Sequence, residues 1–250
     1  MMSFFYELNP IIQSLLAGLM TFSITALGAA LVFLVKNINK NIMNILLSIS
    51  AGIMLSSSFF SLINPALSNA ESLNMNAWLI CSLGIIMGCL LLFLCDKVYS
   101  NKNNNLILSI TLHNFPEGLA IGIAFGAAAL GNQTVLSALM LAVGIGIQNF
   151  PEGSAISFPL YRDGCSKFKS FVIGALSAIV EPIAAVLGAL IVGKYLVILP
   201  ICLAFAAGAM LYVTVVELIP ESMTSKKKEL MALYLVIGFI IMMMLDVALG

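Results

Sequence analysis

The chain has 250 residues, of which 61% are hydrophobic and only 9% charged, and its 11 basic and 11 acidic side chains cancel. So little charge excludes a water-soluble globule of this size, and no nucleic-acid partner is expected. Uncharged stretches at Leu8–Val35, Asn41–Ala70 and Ser72–Cys95 each exceed the roughly 20 residues that cross a hydrocarbon core of about 30 Å, and none has the alternation of a membrane barrel.

Breaks in hydrophobicity at Gly, Asn, Pro and Lys clusters predict an all-α polytopic membrane protein, a single membrane domain over 1–250 with eight transmembrane helices. In chain order the spans are 10–35, 41–67, 76–98, 106–130, 133–157, 169–192, 196–220 and 229–249. The first span has no basic region ahead of it and is too long for a signal core, so no cleavable signal is expected. Cys81, Cys89, Cys95, Cys165 and Cys202 form no CxxC pair. They read as small apolar residues rather than ligands or disulfides. The longest connection is expected around Pro159–Ser170, with no core of its own. With the N-terminus outside, the inner loops hold Lys36, Lys40, Lys97, Lys102, Arg162, Lys167, Lys169 and Lys226–Lys228, and only Lys194 lies outside. That bias places both termini on the extracytoplasmic side. The Lys226–Lys228 run reads as a topology anchor beside anionic lipid.

The most specific signal is a repeat. His113-Asn-Phe-Pro-Glu-Gly118 in the fourth span returns as Gln148-Asn-Phe-Pro-Glu-Gly153 in the fifth. Residues four apart share a helix face, so His113 lies above Glu117 and Gln148 above Glu152. Pro116 and Pro151 lack an N–H and disturb the carbonyl four residues back, which is expected to loosen the helix there. Gly118 and Gly153 leave room for a neighbouring helix. At about 1.5 Å per residue the two motifs lie at overlapping depths of about 8–16 Å from the inner face. The short Gly131-Asn132 link makes their helices antiparallel neighbours, so both motifs can face one site.

Glu181, before Pro182 in the sixth span, and Glu217, before Pro220 in the seventh, are placed where they could join it. Four acids at such depth cost about 10 kcal/mol on insertion scales, and no Lys or Arg lies in the interior of any span to pair with them, which leaves protonation or a bound cation. Such an excess of negative charge points to a cation pathway. An imidazole with carboxylates and amide oxygens suits zinc, iron, manganese or cadmium, whereas a sodium or potassium site has no need of His113.

These motifs resemble the signature of the ZIP (Zrt-/Irt-like) divalent metal transporters, in particular the GufA-type bacterial branch. The likeness covers nearly the whole chain, including the segment from Ala51 and Glu217-Leu-Ile-Pro-Glu221. It implies a primary metal site of His113, Glu117, Gln148 and Glu152. A second site of Asn114, Asn149 and Glu181 would share Glu117 and Glu152. Gln148 stands where many members have His, and Asn149 where Asp occurs in relatives. Met54 reads as packing from the residues alone, while the resemblance implies that it lines the site. Ser61 would lie on the outer route, and Glu217 also belongs to the transport pathway. Ser100–Asn105 has no histidine, so a His-rich sensing loop is not expected. The resemblance further implies a 3+2+3 arrangement with inverted repeats, in which the first, fourth, fifth and sixth spans slide against the rest. It also implies a homodimer in the cell membrane that imports metal as its substrate, with no prosthetic group.

One histidine, no HExxH and no GxSxG argue against an intramembrane enzyme. The alternative is a proton- or sodium-coupled carrier of an organic solute, which uses the carboxylates only for coupling.

Overall fold

In the computed structural model the described residues are 5–34, 39–99, 106–192 and 196–249, with no side chain described for 98–99, 106–113, 196 and 249. They form eight long helices and no strand: α1 (Pro10–Leu34), α2 (Lys40–Ser72), α3 (Ala77–Tyr99), α4 (Leu106–Ala129), α5 (Val135–Arg162), α6 (Lys167–Val192), α7 (Leu199–Ser222) and α8 (Lys228–Leu249). All but α4 are long and apolar enough over described residues to cross a membrane, with mean hydropathy from 1.3 to 2.6. α4 itself has 24 residues. The chain is therefore a polytopic helical membrane protein. Lys36, Lys102, Lys194 and the Ser100–Asn105 connection lie outside the described residues.

Polar caps start several of the helices. Asn39, Thr134 and Ser166 accept hydrogen bonds from Asn41, Ser137 and Lys169 backbone N–H groups, covering donors that a first turn leaves orphaned. Gly131, at φ +76°, turns the chain between α4 and α5, and Gly164, at φ +99°, turns it between α5 and α6. α5 runs through Pro159 to Arg162, so its connection to α6 is only residues 163–166 rather than the dozen expected.

The prolines act elsewhere than expected. Pro116 and Pro151 sit inside uninterrupted helices. The breaks come instead in α2, α6 and α7. α2 widens into a π segment at Ser58–Ile63 just before Pro65, and α7 does the same at Thr214–Leu218 just before Pro220. Asn64 N–H bonds Phe59 carbonyl and Ile219 N–H bonds Thr214 carbonyl, each five residues back. A proline ring crowds the carbonyl four residues behind it, and the wider turn relieves that crowding. In α6 the helix stops at Leu176 and resumes at Val180, tightened by bonds such as Glu181 N–H to Ala178 carbonyl, 3.0 Å.

Helix pairing is dominated by α4 on α6, α1 on α5, α7 on α3 and α8 on α2, with α1 also against α6. Without a hydrophobic drive inside lipid, such pairs rely on close van der Waals fit through small residues. Gly118 lets α4 approach the Glu181 backbone of α6, and Gly153 lets α5 approach Thr25 of α1. A Cβ at either position would meet the neighbour's carbonyl oxygen. Replacing Gly153 by Val is expected to force α5 off α1 and cost about 1–3 kcal/mol, read as a lower melting temperature in detergent; an unchanged melt would mean the contact is not tight.

Candidate functional site

The two repeats meet as their spacing requires. Residues Asn114 and Glu117 of α4, Gln148 and Asn149 of α5 and Glu181 of α6 are all buried, none more than 1% exposed. Gln148 Nε2 donates to Glu117 Oε1 at 2.8 Å, and Asn149 Nδ2 donates to Glu181 Oε1 at 2.9 Å. Glu117 also lies within electrostatic reach of Glu181. Each carboxylate of α4 and α6 is thus held on one oxygen by an amide of α5.

The other oxygens have no donor. Asn114 Oδ1, Glu117 Oε2, Gln148 Oε1, Asn149 Oδ1 and Glu181 Oε2 are buried without a hydrogen-bond partner. An orphaned buried acceptor costs about 1–3 kcal/mol, and more when charged. These five are all acceptors, which is the electronic demand of a cation.

Glu152 is half-buried and lies within electrostatic reach of Glu117, Glu181 and Glu217. The only ion pair formed among the described residues, Arg162 with Asp163 at 3.6 Å, is exposed. Among those residues no three His, Cys, Asp or Glu side chains already converge tightly enough to hold a metal. The oxygens present come instead as carboxylate–amide pairs. His113 is part of α4, but its side chain lies outside the described residues.

The remaining expected residues divide. Met54 is 1% exposed and packs in the hydrophobic core of the bundle. It stands one turn from Ser50, whose hydroxyl donates to the Gln148 carbonyl at 3.3 Å, so both share the α2 face toward α5. Ser61 donates to Asp246 Oδ1 of α8 at 2.6 Å, apart from the carboxylate–amide pairs. Asp246 Oδ2 is another buried acceptor without a partner. Asp246 was legible as a further intramembrane acid in an otherwise uncharged run, and the count of four overlooked it. Thr21 of α1, which lies near Glu181, gave no signal, since a threonine in an apolar helix commonly bonds its own backbone, as Thr21 does to Gly18.

Similar proteins carry this arrangement into a family. The family model described as ZIP Zinc transporter matches residues 102–246. The chain is 33% identical to Zinc transporter ZIP11 of Xenopus tropicalis, over 97% of this chain and 98% of that protein. It is 32% identical to Zinc transporter ZIPB of Bordetella bronchiseptica, over 95% and 81% respectively. It is 42% identical to Zinc transporter GufA of Myxococcus xanthus over a shorter stretch, 58% of this chain and 55% of that protein.

If the orphaned oxygens reflect uncompensated charge, then Glu181→Gln, which keeps an acceptor for Asn149, is expected to stabilise the protein by about 2 kcal/mol in alkaline buffer with a chelator. Thermal melting in detergent measures it, and a lower melting temperature would show the carboxylate to be compensated already.

Proposed function

The chain belongs to the ZIP zinc transporter family, with a GufA-type relative among its matches, and on that premise we propose that it carries a divalent metal ion, zinc foremost, across the membrane. The ion is the substrate; iron, manganese and cadmium suit the same donors. The observation that carries this reading is the set of five buried oxygen acceptors on α4, α5 and α6 with no donor. Glu117 and Glu181 supply negative charge there, and Gln148 and Asn149 hold one oxygen of each and turn the other toward the ion. Asn114 adds a neutral oxygen, Glu152 a third carboxylate at the half-exposed edge, and His113 the nitrogen that favours zinc over alkali metals. Met54, one turn from Ser50, is proposed to border this site. Ser61, beside Asp246, and Glu217, beside Glu152, are proposed to lie along the route to and from it.

The helix pairing supports the 3+2+3 arrangement. Exchanging α1–α3 for α6–α8, and α4 for α5, turns the α1–α5 pair into α6–α4 and the α2–α8 pair into α7–α3. The matched π segments of α2 and α7 follow the same exchange. The same pairing supports an elevator in which α1, α4, α5 and α6 move as a unit against α2, α3, α7 and α8. Broken helices around a buried site at a repeat interface suit alternating access. A homodimer in the cell membrane, extracytoplasmic termini and import into the cytoplasm complete the reading. Membership of a family of transporters does not favour an enzyme or a carrier of organic solutes.

In proteoliposomes Glu117→Ala and Glu152→Ala are each expected to lower zinc uptake at least about tenfold, within the range of about 10–100-fold that lost metal-site partners cost; uptake at the parent rate by either would remove that residue from the site. Orientation has its own test. Cys165, in the α5–α6 connection, should react with a membrane-impermeant thiol reagent only after cells are permeabilised, and labelling of intact cells would invert the topology.

A further inference from the structure

One cavity lies outside the carboxylate site. A cleft of about 190 Å³ opens between the α4–α6 pair and the α3–α7 pair, lined by Met87, Leu119, Ile123, Ile191, Cys202 and Phe205 among others. Its walls expose almost no polar surface. Met87 is near the middle of α3, and Leu119 directly follows Gly118 of the motif, so the cleft sits at hydrocarbon depth. Of the lining residues Met87 is 52% exposed and Ile191 43%. The cleft is therefore continuous with the apolar outer surface of the bundle.

The repeat shows that such an opening is not inherent in the architecture. Aligning the two motifs pairs Leu119 with Ser154 and Ile123 with Phe158. On the α5–α2 side Ser154 Oγ reaches Met43 Sδ at 4.0 Å, and the Phe158 ring is only 8% exposed. The equivalent positions of α5 thus hold a cross-helix contact and a buried phenylalanine, where α4 has a smaller isoleucine lining the cleft.

We propose that this cleft binds one acyl chain of a bilayer lipid, seated across the boundary between the two helix groups. Water is absent at that depth, and acyl chains are the phase that meets the mouth of the cleft. The volume holds about six groups of roughly 30 Å³ each, the size of a methylene or a water. Filling it restores dispersion contacts that an empty gap forfeits. A chain wedged there touches α4 and α6 on one wall and α3 and α7 on the other, so it must shift whenever those pairs move past each other.

The test is native mass spectrometry of the full chain, delipidated in detergent and then titrated with palmitoyl-oleoyl phosphatidylglycerol or the matching phosphatidylcholine. The wild type is expected to retain one lipid per chain with either headgroup. Ile123→Phe, which copies the residue at the equivalent position of α5, and Cys202→Phe from the opposite wall are expected to retain about tenfold less. Leu233→Phe, on the exposed face of α8 away from the cleft, is expected to match the wild type. Folding is checked by helical content and melting temperature, and the conclusion is drawn from whichever cleft variant keeps both. Absence of retained lipid in the wild type, equal retention in all variants, or retention of phosphatidylglycerol alone would overturn the proposal, as would a lipid-free dimer that Ile123→Phe dissociates. The readout involves no metal, so it stands or falls apart from the transport reading.

Discussion

The organising constraint is a set of carboxyl groups buried in hydrocarbon with no lysine or arginine among the described residues to meet them. A carboxylate at such depth costs about 2.5–3.5 kcal/mol on insertion scales, and Glu117 and Glu181 lie there together, fully buried. The usual remedy, a lysine or arginine partner, is absent from the described interior. The α5 amides supply a partial one, each committing its N–H group to one carboxylate oxygen and leaving its own oxygen without a donor. Donors are used up and acceptors left over, which is the polarity of a cation binder rather than of a structural network.

Holding that polarity in place falls to the backbone. Inside lipid, helices are not pressed together by exclusion of water, so the accuracy of the site depends on how closely they fit. The glycine that ends each motif does this work at the site itself: Gly118 seats α4 on the Glu181 backbone, one helix turn or less from the carboxylates it positions. The carboxylate of Glu117 and the glycine that sets its distance from α6 are neighbours in sequence, and the repeat carries both together.

Much of this was legible in the amino-acid sequence because hydrophobic runs and a duplicated motif are strong signals. Eight apolar stretches gave eight helices, and the repeat placed Glu117 and Gln148 in contact. The prolines misled, since Pro116 and Pro151 look like breaks yet sit in continuous helices, while the distortions fall before Pro65, Pro182 and Pro220. A proline marks a carbonyl that must be accommodated, but neighbouring helices decide whether bending, widening or tightening does so. Thr21 was invisible because its nearness to Glu181 depends on a helix some 160 residues away in sequence. Asp246 was visible and passed over because it stands close to the end of its helix, where an acid usually reaches water. Its orphaned oxygen and its bond with Ser61 show that here it does not.

The wide turns in α2 and α7 have one more consequence. An extra residue in a helical turn advances the chain by about 100° around the axis relative to an undisturbed helix. Beyond Ser58–Ile63 and Thr214–Leu218, the side of each helix that faces inward is therefore out of register with the side that faces inward before them. A single-residue deletion inside either segment would let the turn close to a regular α turn and leave the residues after it facing as they do. Straightening the turn with every residue kept would instead rotate Ala66 and Asn69 or Ser222 away from the protein interior and toward the bilayer.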